Sequence, residues 1–279
     1  MNVKNTGTGL IVMSAALLLM QTASAALLAY DGFDEYADGT LASNNGGSGW
    51  TSSWDSNTVT ADVQSGGLSY SNGSISINGG SKAITVFGSN TNNEQAILRS
   101  FTPTTSNGNL YFSYLVQSNT SDVDDFYRML LTATESRNEA GGGIGDVQTG
   151  AAEFGARVGK TGPDASTGDT YATGTTYFLV GKLSSQGGTA YDQLEMWINP
   201  SSSTEGAADL SVSSNTGETD MVNWGMRSVN VNNSGDKVFD EFRVGTTYNA
   251  VTIPEPGTFA LMAGALVVLA LTEHRRRRK

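Results

Sequence analysis

Between about residues 26 and 253 the hydrophobic positions show almost no helical period and many short runs that alternate with period two. Leu110, Phe112, Tyr114 and Val116 share one face of an extended segment. Leu194, Met196 and Ile198 share a face of another, with Gln193, Glu195 and Trp197 opposite, so that one face meets a core and the other stays wet. Val238, Asp240, Phe242 and Val244 read as a third such face. The runs predict strands over 83–87, 96–101, 110–117, 126–133, 154–158, 177–183, 191–199 and 237–245, with a short one at 210–212 inside a polar connection over 200–220. Turn chemistry separates them at Asn72-Gly73, Asn107-Gly108, Gly168-Asp169 and Ser234-Gly235-Asp236. Ala140 to Gly145, with four glycines, reads as a flexible loop; no Gly-Lys-Ser/Thr follows, so it is no phosphate cradle. The expectation is an all-β antiparallel sandwich.

The two ends follow other rules. Lys4, the apolar stretch 10–20 and the small residues Ala23 and Ala25 form a secretory signal peptide over 1–25, cleaved after Ala25. At the far end Pro254-Glu255-Pro256 forbids a continuous helix or central strand, an uncharged run crosses 259–271, and Arg275, Arg276, Arg277, Arg278 and Lys279 close the chain. Thirteen helical residues span about 20 Å, short of a hydrocarbon core of roughly 30 Å. A membrane helix over about 258–272 is therefore marginal, and the cations keep its end cytoplasmic while everything before Pro254 lies outside. These residues resemble the PEP-CTERM sorting signal of Gram-negative bacteria. That resemblance implies export across the inner membrane, recognition by an exosortase and the secretion machinery, cutting near Pro254-Glu255-Pro256, and a fate at the cell surface or outside it.

The segment 29–36, the run 45–50, the stretch 191–200 and the strand 239–245 together resemble a concanavalin A-like, laminin-G-like jelly roll. The implied division is 1–25 signal peptide, 26–247 jelly-roll domain, 248–253 linker and 254–279 sorting tail. In such jelly rolls the terminal strands pair, and here both carry acidic residues beside aromatics.

Charge and composition narrow the function. Of 16 Lys and Arg, 10 remain without Lys4 and the five tail cations; of 27 Asp and Glu, 25 remain without Glu255 and Glu273, leaving about −15 on the cargo. Such a field repels nucleic acid. There is no cysteine, and the one histidine, His274, lies in the tail, so the cargo has no thiol or imidazole for catalysis or zinc. Any metal would be oxygen-bound. Asp122, Asp124 and Asp125 offer hard oxygens for Ca²⁺, though a solvated, self-capping turn explains them as well and no EF-hand Glu follows. A retaining glycosidase of this fold needs paired carboxylates about 5 Å apart on one face. Asp192 and Glu195, and Asp240 and Glu241, are spaced to opposite faces of a strand. Trp50, Trp54, Trp197 and Trp224 suit a sugar-stacking platform or a core, and strand spacing favours the core. The sequence thus predicts no catalytic residues, no resident cofactor, and an adhesive or structural protein with weak exopolysaccharide binding; the alternative is a carboxylate-dependent carbohydrate-active enzyme.

Overall fold

The computed structural model describes residues 27–55, 60–87, 95–105, 108–120, 126–134, 141–146, 152–159, 164–229 and 234–253. The signal peptide, the sorting tail and the acidic turn at Asp122, Asp124 and Asp125 lie outside the described residues.

Two antiparallel sheets face each other. The larger runs β15 (Leu210–Ser213), β14 (Gln193–Ile198), β13 (Thr176–Ser184), β8 (Leu110–Ser118), β17 (Ser234–Gly245), β6 (Lys82–Phe87), β3 (Thr60–Ser65) and β2 (Gly39–Thr40). The first strand, β1 (Leu27–Asp31), joins it by pairing with the end of β17, so the terminal strands meet as expected. The smaller sheet runs β12 (Ala165–Thr170), β11 (Glu153–Val158), β10 (Gly142–Asp146), β9 (Phe126–Thr132), β16 (Asp220–Val229) and β7 (Gln95–Thr105). The chain passes repeatedly between the layers, giving the all-β jelly-roll sandwich that the alternation implied.

The inner faces make one core. Leu110, Phe112, Tyr114 and Val116 of β8 meet Tyr127, Met129 and Leu131 of β9 and Trp224 and Met226 of β16. A second apolar layer lies on the outer face of the larger sheet, where Tyr111, Leu115, Phe178, Val180, Trp197 and Val238 are buried. The hairpin of β4 (Ser69–Asn72) and β5 (Ile75–Asn78) covers it with Tyr70, Ile75 and Ile77. The Asn72-Gly73 turn signal closes that hairpin, with Gly73 at φ 56°.

The structure corrects three sequence expectations here. Val238, Asp240, Phe242 and Val244 do not share a face. Phe239, Phe242 and Val244 lie in the inner core and Val238 in the outer layer. A bulge between Asp240 and Arg243, with Glu241 at φ 57°, switches the alternation midway along β17. The run 140–145 is not a loop throughout, since Gly142–Asp146 is a central strand. Its glycines are needed for space: a Cβ on Gly143 would lie 2.7 Å from Arg128 Cγ, and one on Gly142 2.9 Å from Leu183 Cδ1. The expected linker 248–253 contains helix α1 (Tyr248–Thr252), capped by the Thr247 side chain. Tyr248 and Val251 are buried in the outer layer, Tyr248 edge-on to Trp197 at 5.1 Å, and Ser113 Oγ donates to Val251 O at 2.7 Å.

The outer edge of β7 is strapped by the segment 50–55. Thr51 N donates to Ser100 O (2.9 Å) and Asp55 N to Leu98 O (3.0 Å). Leu98 N donates to Asp55 Oδ1 (3.0 Å) and Ser100 N to Ser52 Oγ (2.9 Å).

Candidate functional site, a cleft at the end of the sandwich

Where β12 meets the ends of β13 and β14, the two sheets part and leave a cleft of about 300 Å³. It is lined by Phe154, Thr167, Asp169, Thr170, Tyr177, Ile198, Asn199 and Asp209. Local irregularities put these side chains there. Glu153 pairs with Thr170 and Gly155 with Ser166, so Phe154 alone opposes three residues of β12. Gly168, at φ 74°, makes that bulge possible, and the bulge carries Thr167 and Asp169 to the cleft. The Gly168-Asp169 turn signal is therefore a kink within a strand.

On the opposite wall Asn199 leaves β14 at φ 51° and is tied back to β13 by two bonds: its N donates to Phe178 O, and its Oδ1 accepts from Phe178 N, both at 2.8 Å. Neither bond uses its Nδ2. Asp209 accepts from Ile198 N through Oδ2 at 2.7 Å. Phe154 and Tyr177 form the apolar part, ring centroids 5.0 Å apart and edge-on, and the Tyr177 hydroxyl accepts from Ala172 N at 2.8 Å. The cleft thus offers an aromatic surface, hydroxyls, an amide and two carboxylates, a mixture suited to a polar ligand with one apolar face. A second depression of about 390 Å³, near Gln186, Asp192 and Asn215, has no aromatic lining and its Asp192 Oδ1 already accepts from Gln186 N (2.7 Å).

The carboxylates singled out in the sequence are used elsewhere. Glu195 Oε2 pairs with Lys182 Nζ at 2.9 Å. Asp240 and Glu241 sit together at the β17 bulge, both buried. Glu241 accepts from the Tyr30 hydroxyl (2.6 Å) and from Arg243. Asp240 accepts from Leu68 N (2.8 Å) and Glu241 N (2.7 Å). Burial, with Glu241 and Asp34 nearby, pushes its carboxyl up to about 9. Gly79 and Gly80 must be glycines beside these groups, since a Cβ would fall 1.9 Å from Asp240 Oδ2 or 1.8 Å from Asp34 Oδ2. Among the described residues no three His, Cys, Asp or Glu side chains are grouped as metal ligands.

A third acidic group holds the start of the chain. Asp31 Oδ2 lies 2.6 Å from Arg99 Nη1, and it also accepts from the Tyr36 hydroxyl (2.7 Å) and Trp54 Nε1 (3.0 Å). Burial pushes the Asp31 carboxyl up, while Tyr36, Arg99 and Trp54 pull it down.

The tryptophans are structural. Trp54, Trp197 and Trp224 are buried and Trp50 is half-buried against Trp54 and Trp224. The face bearing Trp197 is wet only in part: Gln193 and Glu195 are half-buried, while Tyr248 of α1 packs on Trp197, which a sequence read as linker did not signal. Nor did the sequence mark the cleft, whose residues come from four separate strands and turns.

No family model matches the chain, and no curated protein sequence matches it. Solved structures resemble it weakly. A structure of the cellulose-induced protein Cip1 is 14% identical, covering 78% of this chain and 97% of that one, with a TM-score of 0.44. The Emp47p carbohydrate recognition domain is 8% identical, covering 77% and 96%, at 0.42. A structure reported with endo-acting O-glycanases of the human gut microbiota is 10% identical, covering 79% and 99%, at 0.42.

Proposed function

We propose that this is an exported cell-surface or extracellular-matrix protein whose sandwich binds exopolysaccharide weakly, without turnover, at the cleft between β12 and β13. The observation that carries the binding is the lining: Tyr177 and Phe154 beside Thr167, Thr170, Asn199, Asp169 and Asp209. Sugars present an apolar ring face and a rim of hydroxyls, and such a surface answers both. The cleft holds no more than a short stretch of sugar, so attachment to a matrix rests on many copies acting together. The export part rests on the sequence alone, on Ala23 and Ala25 at one end and Pro254-Glu255-Pro256 with Arg275–Arg278 at the other.

A glycan array probed with the full chain tests the binding. Saturable binding that is lost in Tyr177→Ala supports it; binding untouched by that change refutes the cleft. Intact mass of the protein recovered from cells tests the processing. A chain starting near Ala26 and ending near Pro254 is expected, and one retaining Arg275–Lys279 overturns it. Asp169 and Asp209, two carboxylates on one cleft, favour a second reading as a glycoside hydrolase. Steady release of reducing ends, abolished by Asp169→Asn or Asp209→Asn, would establish that reading against the first.

A further inference from the structure

We infer that α1 is a brake on removal of the tail: seated on the larger sheet, it withholds the chain that a cutting enzyme must grip before Pro254. Cutting then proceeds from a minor state in which α1 has lifted off. This rests on the processing reading above and adds what controls the cut. The stretch 248–253 joins the body to the tail, and the body holds it almost to its last residue. Tyr248, Val251 and Thr252 are 4%, 0% and 0% exposed. Tyr248 stands edge-on to Tyr111 at 6.1 Å as well as to Trp197. Ser113 Oγ on β8 donates to Val251 O at 2.7 Å, and Thr252 Oγ1 to Tyr248 O at 3.0 Å. Release comes abruptly at Ile253, which is 39% exposed at φ −109° and ψ 128°, the extended geometry that a following proline favours.

An enzyme that grips a peptide as an extended strand uses the main-chain groups along it. In α1 those groups are spent within the helix. Ala250 N donates to Thr247 Oγ1 at 3.3 Å and Ile253 N to Asn249 O at 3.1 Å. To grip the residues before Pro254, the end of α1 must unwind and Val251 must leave its seat. There is little slack on the other side. Seven residues carry the chain from Thr252 to Phe259, where the apolar run begins, about 24 Å at full stretch. A helix of five residues does not stand alone in water, so α1 exists only by its seat. A terminal element of this kind opens locally at less cost than the body unfolds. Where opening and closing are fast beside cutting, the rate of cutting follows the open population. The open form is a minor one, so bulk unfolding curves do not register it.

The test follows the full chain by pulse-chase and intact mass in the cells that produce it. Thr247→Ala removes the cap at an exposed position, and Ser113→Ala removes the bond to Val251 O. Each should raise the open population about fivefold and quicken cutting by the same factor. Hydrogen exchange of the 248–253 amides, measured on the uncut chain in mild detergent, should quicken equally and report the opening independently of the cut. A six-residue Gly-Ser spacer between Ile253 and Pro254 supplies free chain, so cutting should be fast and no longer respond to Thr247→Ala. A spacer that does not quicken cutting overturns the brake, whatever the point variants do. Slower cutting in Thr247→Ala and Ser113→Ala also overturns it, because the seated helix is then what the enzyme recognises. Faster exchange with unchanged cutting overturns it as well, and leaves the processing reading standing. Tails retained in every form, spacer included, overturn the processing reading and the brake with it.

Discussion

Asp240 shows what one residue does to the whole equilibrium. Its carboxyl sits near 9 in the folded chain against 3.8 ordinarily, because it is buried beside Glu241 and Asp34. Between about pH 4 and pH 9 the folded chain keeps a proton that the unfolded chain releases, so this group lowers stability as pH rises, by about 1.4 kcal/mol per unit. Asp240→Asn removes that slope but loses one acceptor for Leu68 N or Glu241 N. Denaturant titrations should find the variant less stable than the parent at pH 5 and more stable at pH 9; parallel curves for the two proteins refute the assignment. Asp31 and Arg99 behave differently, since each neutralises the other at 2.6 Å with both side chains 1% exposed. Removing one partner strands a buried charge, at a cost of about 3–5 kcal/mol, while removing both costs less than the sum. Asp31→Asn, Arg99→Met and the double variant, compared by urea midpoint, check this.

At the scale of elements, most strands were legible and their exceptions were not. The alternation at Leu110 to Val116 and at Leu194 to Ile198 located β8 and β14 and their inward faces, because nothing interrupts the pleat there. Besides β2, β3 and the β4–β5 hairpin, which no run predicted, three more strands escaped for three reasons. In β10 the side chains of neighbours, Arg128 and Leu183, fill the space above Gly142 and Gly143, so the strand has no pattern of its own. In β12 the bulge at Gly168 hides the period. In β16 Trp224 and Met226 face the core, but Gly225 between them and Asn223 before them are also buried, and a register shift between Met221 and Asn223 breaks the period. The cleft was illegible for a related cause: it is made by a bulge, a left-handed Asn and a turn that meet only after folding. Two predictions belong here. Gly143→Val drives a branched side chain into Arg128 and Met129 O, and should cost about 1–3 kcal/mol by thermal melt. Tyr248→Ala opens the layer between α1 and Trp197 and should cost about 3 kcal/mol, with a red-shifted Trp197 emission.

Across the whole molecule, β17 ties the layers together, since Val238 belongs to the outer layer and Phe239 and Phe242 to the core. The hairpin, α1 and both sheets should therefore unfold as one unit. Far-UV circular dichroism and tryptophan fluorescence are expected to give coincident transitions; a separate early step in either would show that the outer layer detaches alone. The segment 50–55 has a consequence at the same scale. A β-sheet ends in a row of unused amide and carbonyl groups, and such a row invites the same row on a second copy. At β7 the chain supplies that second strand from itself, through Thr51, Ser52 and Asp55. The opposite border of that sheet, β12, is kinked at Gly168 and ends in Asp169 and Thr170. Neither border is a straight template. Crowded copies of this protein consequently find no straight edge along the smaller sheet on which to pair.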